Sequence, residues 1–207
     1  KEQNSAMRKA KKIIKDFNGD THKTVLFLSY KAENWNTMDN IYKKYCQEKD
    51  IKVIVQCVPY YYKNIDGTFE KYIDGGMYPE YVTITPIEDY NYVNENPDVI
   101  VFQYPYDNYN SAGTTDPVFY SYNLASHTQK LIYIPYFRTD EIDENDMRAY
   151  TNMDAYVTMP GVVYADKVIV QSEEIRKLYI KKLTDFFGEE SEDEWEDKIE
   201  AEDIGGI

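Results

Sequence analysis

Five short, nearly continuous apolar runs govern what this chain can fold into. They are residues 24–30 (TVLFLSY), 53–58 (VIVQCV), 98–104 (DVIVFQY), 131–137 (LIYIPYF) and 167–171 (KVIVQ). None alternates strictly between apolar and polar residues, so each reads as a strand buried on both faces, the signature of a parallel sheet covered by helices on its two sides. Helical patterns fall between them. Residues 36–49 place Met38, Ile41, Tyr42 and Tyr45 on one helical face. Residues 147–165 read as a helix broken around Pro160-Gly161, and Ser172 caps a helix whose inner face carries Ile175, Leu178, Tyr179 and Leu183. Strand, helix, strand in repetition predicts an α/β fold: a Rossmann-like, doubly wound, mostly parallel sheet with helices on both faces.

Three of the strands run into a Pro-Tyr corner: Pro59-Tyr60, Pro105-Tyr106 and Pro135-Tyr136. Proline cannot donate to a sheet ladder, so it marks where pairing stops. In an open α/β sheet, ligands bind outside the carboxyl ends of the strands, where these corners lie. The candidate binding residues are therefore Ser29, Tyr30, Lys31, Tyr60, Tyr106, Tyr136, Arg138 and Ser172. Lys31 and Arg138 suit an anionic group such as a phosphate. Either can equally pair with a nearby acid, and each tyrosine can simply pack the rim. Asp107 is a candidate base, with a turn residue as its simpler explanation.

The 207 residues divide into an N-terminal helix or lead-in over 1–20, a Rossmann-like domain over 21–188, and an acidic tail over 189–207. Residues 1–17 read as a polar helix stopped by Asn18-Gly19. The first residue is not Met, so the expectation is an excised or processed piece. Residues 63–92 interrupt the strand–helix rhythm with turn signals at Asn64, Asp66-Gly67 and Gly75-Gly76, while Phe69, Tyr72, Tyr78 and Tyr81 argue that the insertion is packed down. Residues 81–85 read as a short strand.

Composition narrows the function classes. A net charge of −14 argues against a nucleic-acid surface, which needs clustered Lys and Arg. No apolar run approaches the roughly 20 residues that span a bilayer, so no transmembrane segment is expected. The two cysteines, Cys46 and Cys57, belong to no CxxC pair and read as buried small hydrophobes of a cytoplasmic protein. No GxGxxG follows the first strand, and neither a GxxxxGK[ST] nor a GxSxG occurs, so no cofactor is expected. His22 and His127, the two histidines, form neither a metal pair nor a triad, and no metal is expected. The 22 tyrosines are the compositional oddity, since an apolar ring with a hydrogen-bonding tip suits partly buried polar surfaces and sugar-like ligands alike.

Several stretches, in order, resemble one family. They are VLFLSYKA at 25–32 with Trp35, VPYY at 58–61 with Asp66-Gly67, YVTIT at 81–85 with Asp89-Tyr90, NPDVI at 96–100, PYDNYN at 105–110, YIPYF at 133–137 and ADKVIVQS at 165–172. The set is similar to the N-terminal half of bacterial CDP-glycerol glycerophosphotransferase-like proteins, relatives of teichoic-acid polymerases, and covers residues 23–183. The resemblance implies half of a GT-B architecture: an acceptor-side domain facing a C-terminal domain that holds the CDP-activated donor. It implies a glycerol-phosphate or sugar-like acceptor, a separate donor domain as partner, a role in cell-wall polymer synthesis, and a cytoplasmic location with membrane-peripheral association of the full-length protein. The family's proposed histidine base is absent here, because the fourth strand ends in Pro135-Tyr136-Phe137-Arg138. Three readings follow: an acceptor-side half needing a second domain, a non-catalytic binding or regulatory module, and a stand-alone enzyme using Asp107.

Overall fold

The structure is a computed structural model that describes residues 6, 9, 10, 23–72, 74, 76–140, 142 and 146–205. The helix expected over residues 1–17 lies outside the described residues except for Ala6, Lys9 and Ala10. The first half of the chain runs β1 (Lys23–Ser29), α1 (Asn36–Cys46), β2 (Ile51–Cys57), β3 (Tyr60–Lys63), β4 (Phe69–Tyr72), α2 (Tyr92–Glu95) and β5 (Val99–Phe102). Then come β6 (Gly113–Thr115), α3 (Ser121–Ser126), β7 (Lys130–Tyr133), α4 (Met147–Asn152), α5 (Asp154–Val157) and α6 (Pro160–Tyr164). The chain closes with β8 (Lys167–Val170), α7 (Glu173–Phe187), α8 (Glu192–Lys198) and β9 (Ile199–Ala201).

Six strands form one parallel sheet in the order β2-β1-β5-β7-β8-β9, flanked by helices: the Rossmann-like α/β fold expected from the five apolar runs. Along each strand, successive side chains point to opposite faces. Leu26, Leu28, Ile100, Phe102, Leu131, Tyr133, Val168 and Val170 pack on one face against Leu124 of α3, Val162 of α6 and Ile175, Tyr179 and Leu183 of α7. Val25, Phe27, Val55, Val101, Ile132 and Ile169 pack on the other, against Trp35 and Met38, Ile41 and Tyr42 of α1. Burial on both faces explains why the sequence runs are continuous.

The strand order decides where a site can be. From β1 the chain steps outward to β2, then reverses and adds β5, β7, β8 and β9 on the other side. Right-handed crossovers therefore place α1 on one face and the later helices on the opposite one. The reversal falls between β1 and β5, and ligands of open α/β sheets bind at such a switch point.

Several expectations need correction. The described part of the expected tail, residues 189–205, does not hang beyond the domain. Within them α8 buries Trp195, β9 pairs parallel with β8 (Val168↔Ile199), and Ile204 is fully buried against the α1 face. Three spaced apolar residues suffice to dock the segment, while its acids stay on the exposed side. Arg176 of α7 ties it further, donating to the carbonyls of Ile199 (2.7 Å) and Glu196 (2.9 Å) at the end of α8. Residues 147–165 form three short helices instead of one kinked helix, with Pro160 opening the last. Residues 81–85 contribute only a single bridge, Ile84 to Val55 at the sheet edge. Cys46, the last residue of α1, points outward and is exposed, and Cys57 is half-buried; both are free thiols.

Strand β4 of the insertion joins β3 and β6 in a second sheet that the sequence did not announce. β3 pairs antiparallel with β4 (Tyr60↔Tyr72) and with β6 (Tyr60↔Thr115). This three-stranded sheet sits at the carboxyl end of the large one, held there by tyrosines.

Candidate functional site

The loop after β1 is built around Gln103, the first residue beyond β5 and fully buried. Its side-chain carbonyl accepts the Tyr30 N–H (3.0 Å), and its amide donates to the Asn34 carbonyl and the Thr37 hydroxyl (2.9 Å each). One amide thus fixes the two strands of the switch point against each other. A second brace comes from the insertion: the Asp74 carboxylate accepts the N–H groups of Ala32 (2.7 Å) and Gly76 (2.9 Å). A side chain at position 76 would put its Cβ 2.7 Å from that of Ala32, so the close approach requires glycine there. Tyr78 adds a hydrogen bond to Ser29 Oγ at 3.0 Å.

On this frame six tyrosines meet. Tyr30, Tyr60 and Tyr104 are buried, and half-buried Tyr72, Tyr106 and Tyr136 pack around them. Ring centroids of Tyr30 lie 5.1 Å from Tyr60, 5.2 Å from Tyr104 and 4.8 Å from Tyr136. Tyr104 lies 5.2 Å from Tyr106, and Tyr60 lies 6.1 Å from Tyr72. Such separations are the favourable range for edge-to-face and offset aromatic pairs. Gly113 of β6 makes the packing possible, because a Cβ there would lie 2.0 Å from the Tyr60 hydroxyl, and its carbonyl accepts from Tyr104 (3.0 Å).

Lys31 lies over this aromatic surface. Its ammonium is 5.1 Å from the centre of the Tyr30 ring, 5.6 Å from Tyr60 and 4.7 Å from Tyr72, within cation–π range of all three. The side chain is only 16 % exposed and pairs with Glu33 at 3.8 Å, longer than a hydrogen bond. The rings therefore hold the charge in place while leaving its N–H donors available. Burial, ahead of all other causes, pushes the hydroxyls of Tyr30, Tyr104 and Tyr106 well above the usual phenol range, so these stay neutral. The site combines neutral phenols with one ammonium, a chemistry for binding an anion attached to a polar or hydroxylated body.

The other candidates are placed elsewhere. Ser29 is fully buried and turned to Tyr78, not to the crevice. Ser172 caps α7, accepting the Ile175 N–H at 3.3 Å. Arg138 donates to the Gly205 carbonyl (2.8 Å) and lies 3.8 Å from the Asp203 carboxylate, so its guanidinium clasps the C-terminal segment against α1. Asp107 does not present a base. It is buried, and its two carboxylate oxygens accept the Ser121 N–H and hydroxyl, both at 2.8 Å, at the start of α3. It adopts a left-handed backbone (φ 50°), which Asp tolerates better than most residues. Burial raises its carboxyl to about 6, against the lowering effect of the Ser121 hydrogen bonds.

Gln103, Asp74 and Tyr72 are the site residues that the sequence reading did not single out. For Gln103 a signal existed: an uncharged amide inside the run DVIVFQY has to find buried partners. The same pattern recurs at two other strand ends, where Gln56 donates to the carbonyls of Pro86 and Tyr90 and Gln171 brackets the backbone of Thr139. Among the described residues no helix is long and apolar enough to cross a membrane, and no cluster of three His, Cys, Asp or Glu could hold a metal ion. Comparison with family models, with curated proteins and with solved structures finds no match.

Proposed function

We propose that this chain is the acceptor-side half of a CDP-glycerol glycerophosphotransferase-like protein of cell-wall polymer synthesis, binding a glycerol-phosphate or sugar-like acceptor at the tyrosine cluster. The observation that carries the reading is the position of Lys31: an ammonium held over three tyrosine rings at the switch point of a Rossmann-like sheet. In this reading the acceptor's anionic group meets Lys31 and its apolar and hydroxylated parts lie against Tyr72, Tyr106 and Tyr136. Arg138, first expected to share that role, is committed to Gly205 and does not contribute.

The transfer chemistry is assigned to a separate donor domain that holds the CDP-activated group. Asp107, with both oxygens on Ser121, has no acceptor proton within its reach in this reading. The same observation favours a second reading, a non-catalytic ligand-binding or regulatory module on the same fold. The family's working place would be the cytoplasmic side of the membrane, with peripheral attachment of the full-length protein.

Calorimetric titration separates these readings. The acceptor-side reading expects sn-glycerol 3-phosphate to bind this chain and CDP-glycerol to bind no better than free glycerol phosphate does. Preferential binding of CDP-glycerol, dependent on its nucleotide, would sink the division of labour between two domains.

A further inference from the structure

The aromatic surface under Lys31 continues beyond Tyr72. Strands β3 and β4 pair so that Tyr60 lies opposite Tyr72 and Tyr62 lies opposite Glu70. Side chains alternate along a strand, and residues directly opposite each other share a face. Tyr60, Tyr62, Glu70 and Tyr72 therefore project from one face of the small sheet, and Tyr61, Phe69 and Lys71 from the other. The first is the face that carries Lys31: the Tyr60 ring lies 5.1 Å from Tyr30, and the Tyr72 ring 4.7 Å from the ammonium.

Away from Tyr30 this face opens to solvent. The Tyr62 ring lies 5.1 Å from Tyr60 and 5.8 Å from Tyr72, at 83° and 88° to them, so Tyr62 and Tyr72 meet as two walls of a corner. Tyr62 is 38 % exposed, and Glu70 across from it is exposed and forms no ion pair among the described residues. Glu70 and Tyr72 are two residues apart on β4, about 7 Å along the strand. A cation over Tyr72 and a carboxylate at Glu70 thus bracket an aromatic corner about the size of one ring. Lys31 suits an anionic group. Glu70, which when ionised only accepts hydrogen bonds, repels a second anion and suits a body rich in hydroxyls. Aromatic walls with a few well-placed polar groups are the usual make-up of a small-molecule site. A sugar ring matches this pattern, since it offers an apolar C–H face to the tyrosines and hydroxyls at its edge to the carboxylate. Glycerol has hydroxyls but no such face.

We infer that this corner is a sugar subsite adjoining Lys31: Tyr62 and Tyr72 take the C–H face of a sugar ring, and Glu70 accepts hydrogen bonds from its hydroxyls. The inference rests on the proposal that Lys31 and the tyrosines under it hold an anion, and it narrows the ligand to a sugar monophosphate. Phe69, next to Glu70 but on the opposite face, takes no part.

The test is calorimetric titration with inorganic phosphate, sn-glycerol 3-phosphate and glucose 6-phosphate. The wild type should bind glucose 6-phosphate about tenfold more tightly than either of the others, the worth of a charge-assisted hydrogen bond with ring contact. Glu70→Ala, a change at an exposed position, should abolish that preference while phosphate binding stays within about twofold of wild type, because an exposed charge is screened. Tyr62→Leu, which keeps an apolar neighbour for Tyr60 and Tyr72, should cut the preference to below about threefold. Phe69→Ala should keep it in full. A preference that survives both Glu70→Ala and Tyr62→Leu overturns the inference, as does one lost equally in Phe69→Ala. A wild type that binds phosphate but gains nothing from the sugar overturns the inference alone. If phosphate itself fails to bind, the proposed anion site falls with it.

Discussion

Replacing Asp107 tests whether this carboxylate is a helix cap or an open base. Asp107→Ala removes both hydrogen bonds to Ser121, a buried residue at the start of α3. Loss of a cap of this kind costs about 1–2 kcal/mol. Alanine at φ 50° adds up to about 1 kcal/mol, because it lacks the short polar side chain whose local hydrogen bonds make the left-handed region tolerable for Asp. Against this stands the cost of the buried charge, which the alanine variant escapes. The rise of the carboxyl from 3.8 to about 6 corresponds to about 3 kcal/mol. The sign follows from proton binding: with the folded value raised, the native chain holds more protons than the unfolded chain between these two values. Stability from this group is present below 3.8 and is lost as pH rises through about 6. Asp107→Ala should therefore be clearly destabilised at about pH 5 and close to wild type at about pH 7.5, its deficit shrinking by about 1–1.5 kcal/mol. Asp107→Asn keeps an acceptor and tolerates the left-handed turn, so at about pH 7.5 it should be at least as stable as wild type. Urea unfolding followed by fluorescence reads this directly, since both tryptophans, Trp35 and Trp195, are buried. A deficit that stays constant or grows with pH would show that Asp107 ionises as an exposed carboxylate does, and would reopen its candidacy as a base.

Other perturbations separate structure from binding. Gln103→Leu strands the Tyr30 N–H and the partners of the lost amide, and should cost about 2–4 kcal/mol in urea unfolding; a loss below about 0.5 kcal/mol would mean that the loop after β1 is held by other contacts. Trp195→Ala should cost about 3–5 kcal/mol, whereas a dangling acidic tail would show no loss. Lys31→Met should weaken phosphate binding by about tenfold with a small stability change, since it removes a cation–π contact from a site with other packing. Arg138→Ala should leave phosphate binding unchanged; equal effects of the two substitutions would put the guanidinium back in the site.

The large sheet was legible because of how it is buried. Runs such as TVLFLSY must be apolar on both faces, and that requirement writes itself into consecutive residues. Strand β9 left no such mark, having three residues with Glu200 in the middle of an acidic run. A short, charged strand is how an exposed sheet edge is ordinarily protected, and it looks like a solvated tail in sequence. The small sheet was hidden for another reason: Tyr60 pairs with Thr115 across 55 positions, and no local pattern reports a partner that distant.

For the candidate site, the Pro-Tyr corners marked the carboxyl edge of the large sheet, since proline ends pairing there. They did not reveal that the tyrosines would pack on one another, with Lys31 above them, instead of lining an open cleft. Nor did they show that the C-terminal segment, 67 positions away, would take Arg138. Side chains that reach distant backbone groups are the part of a site that sequence spacing leaves unspecified.

The central claim, that the tyrosine cluster beneath Lys31 is a ligand site, is tested most directly by locating a bound anion. With tyrosine side chains isotopically labelled, titration with sn-glycerol 3-phosphate followed by NMR should shift the signals of Tyr30, Tyr72, Tyr106 and Tyr136, and Lys31→Met should suppress those shifts. Shifts confined to tyrosines outside the cluster, such as Tyr122, Tyr150 and Tyr164, would contradict it.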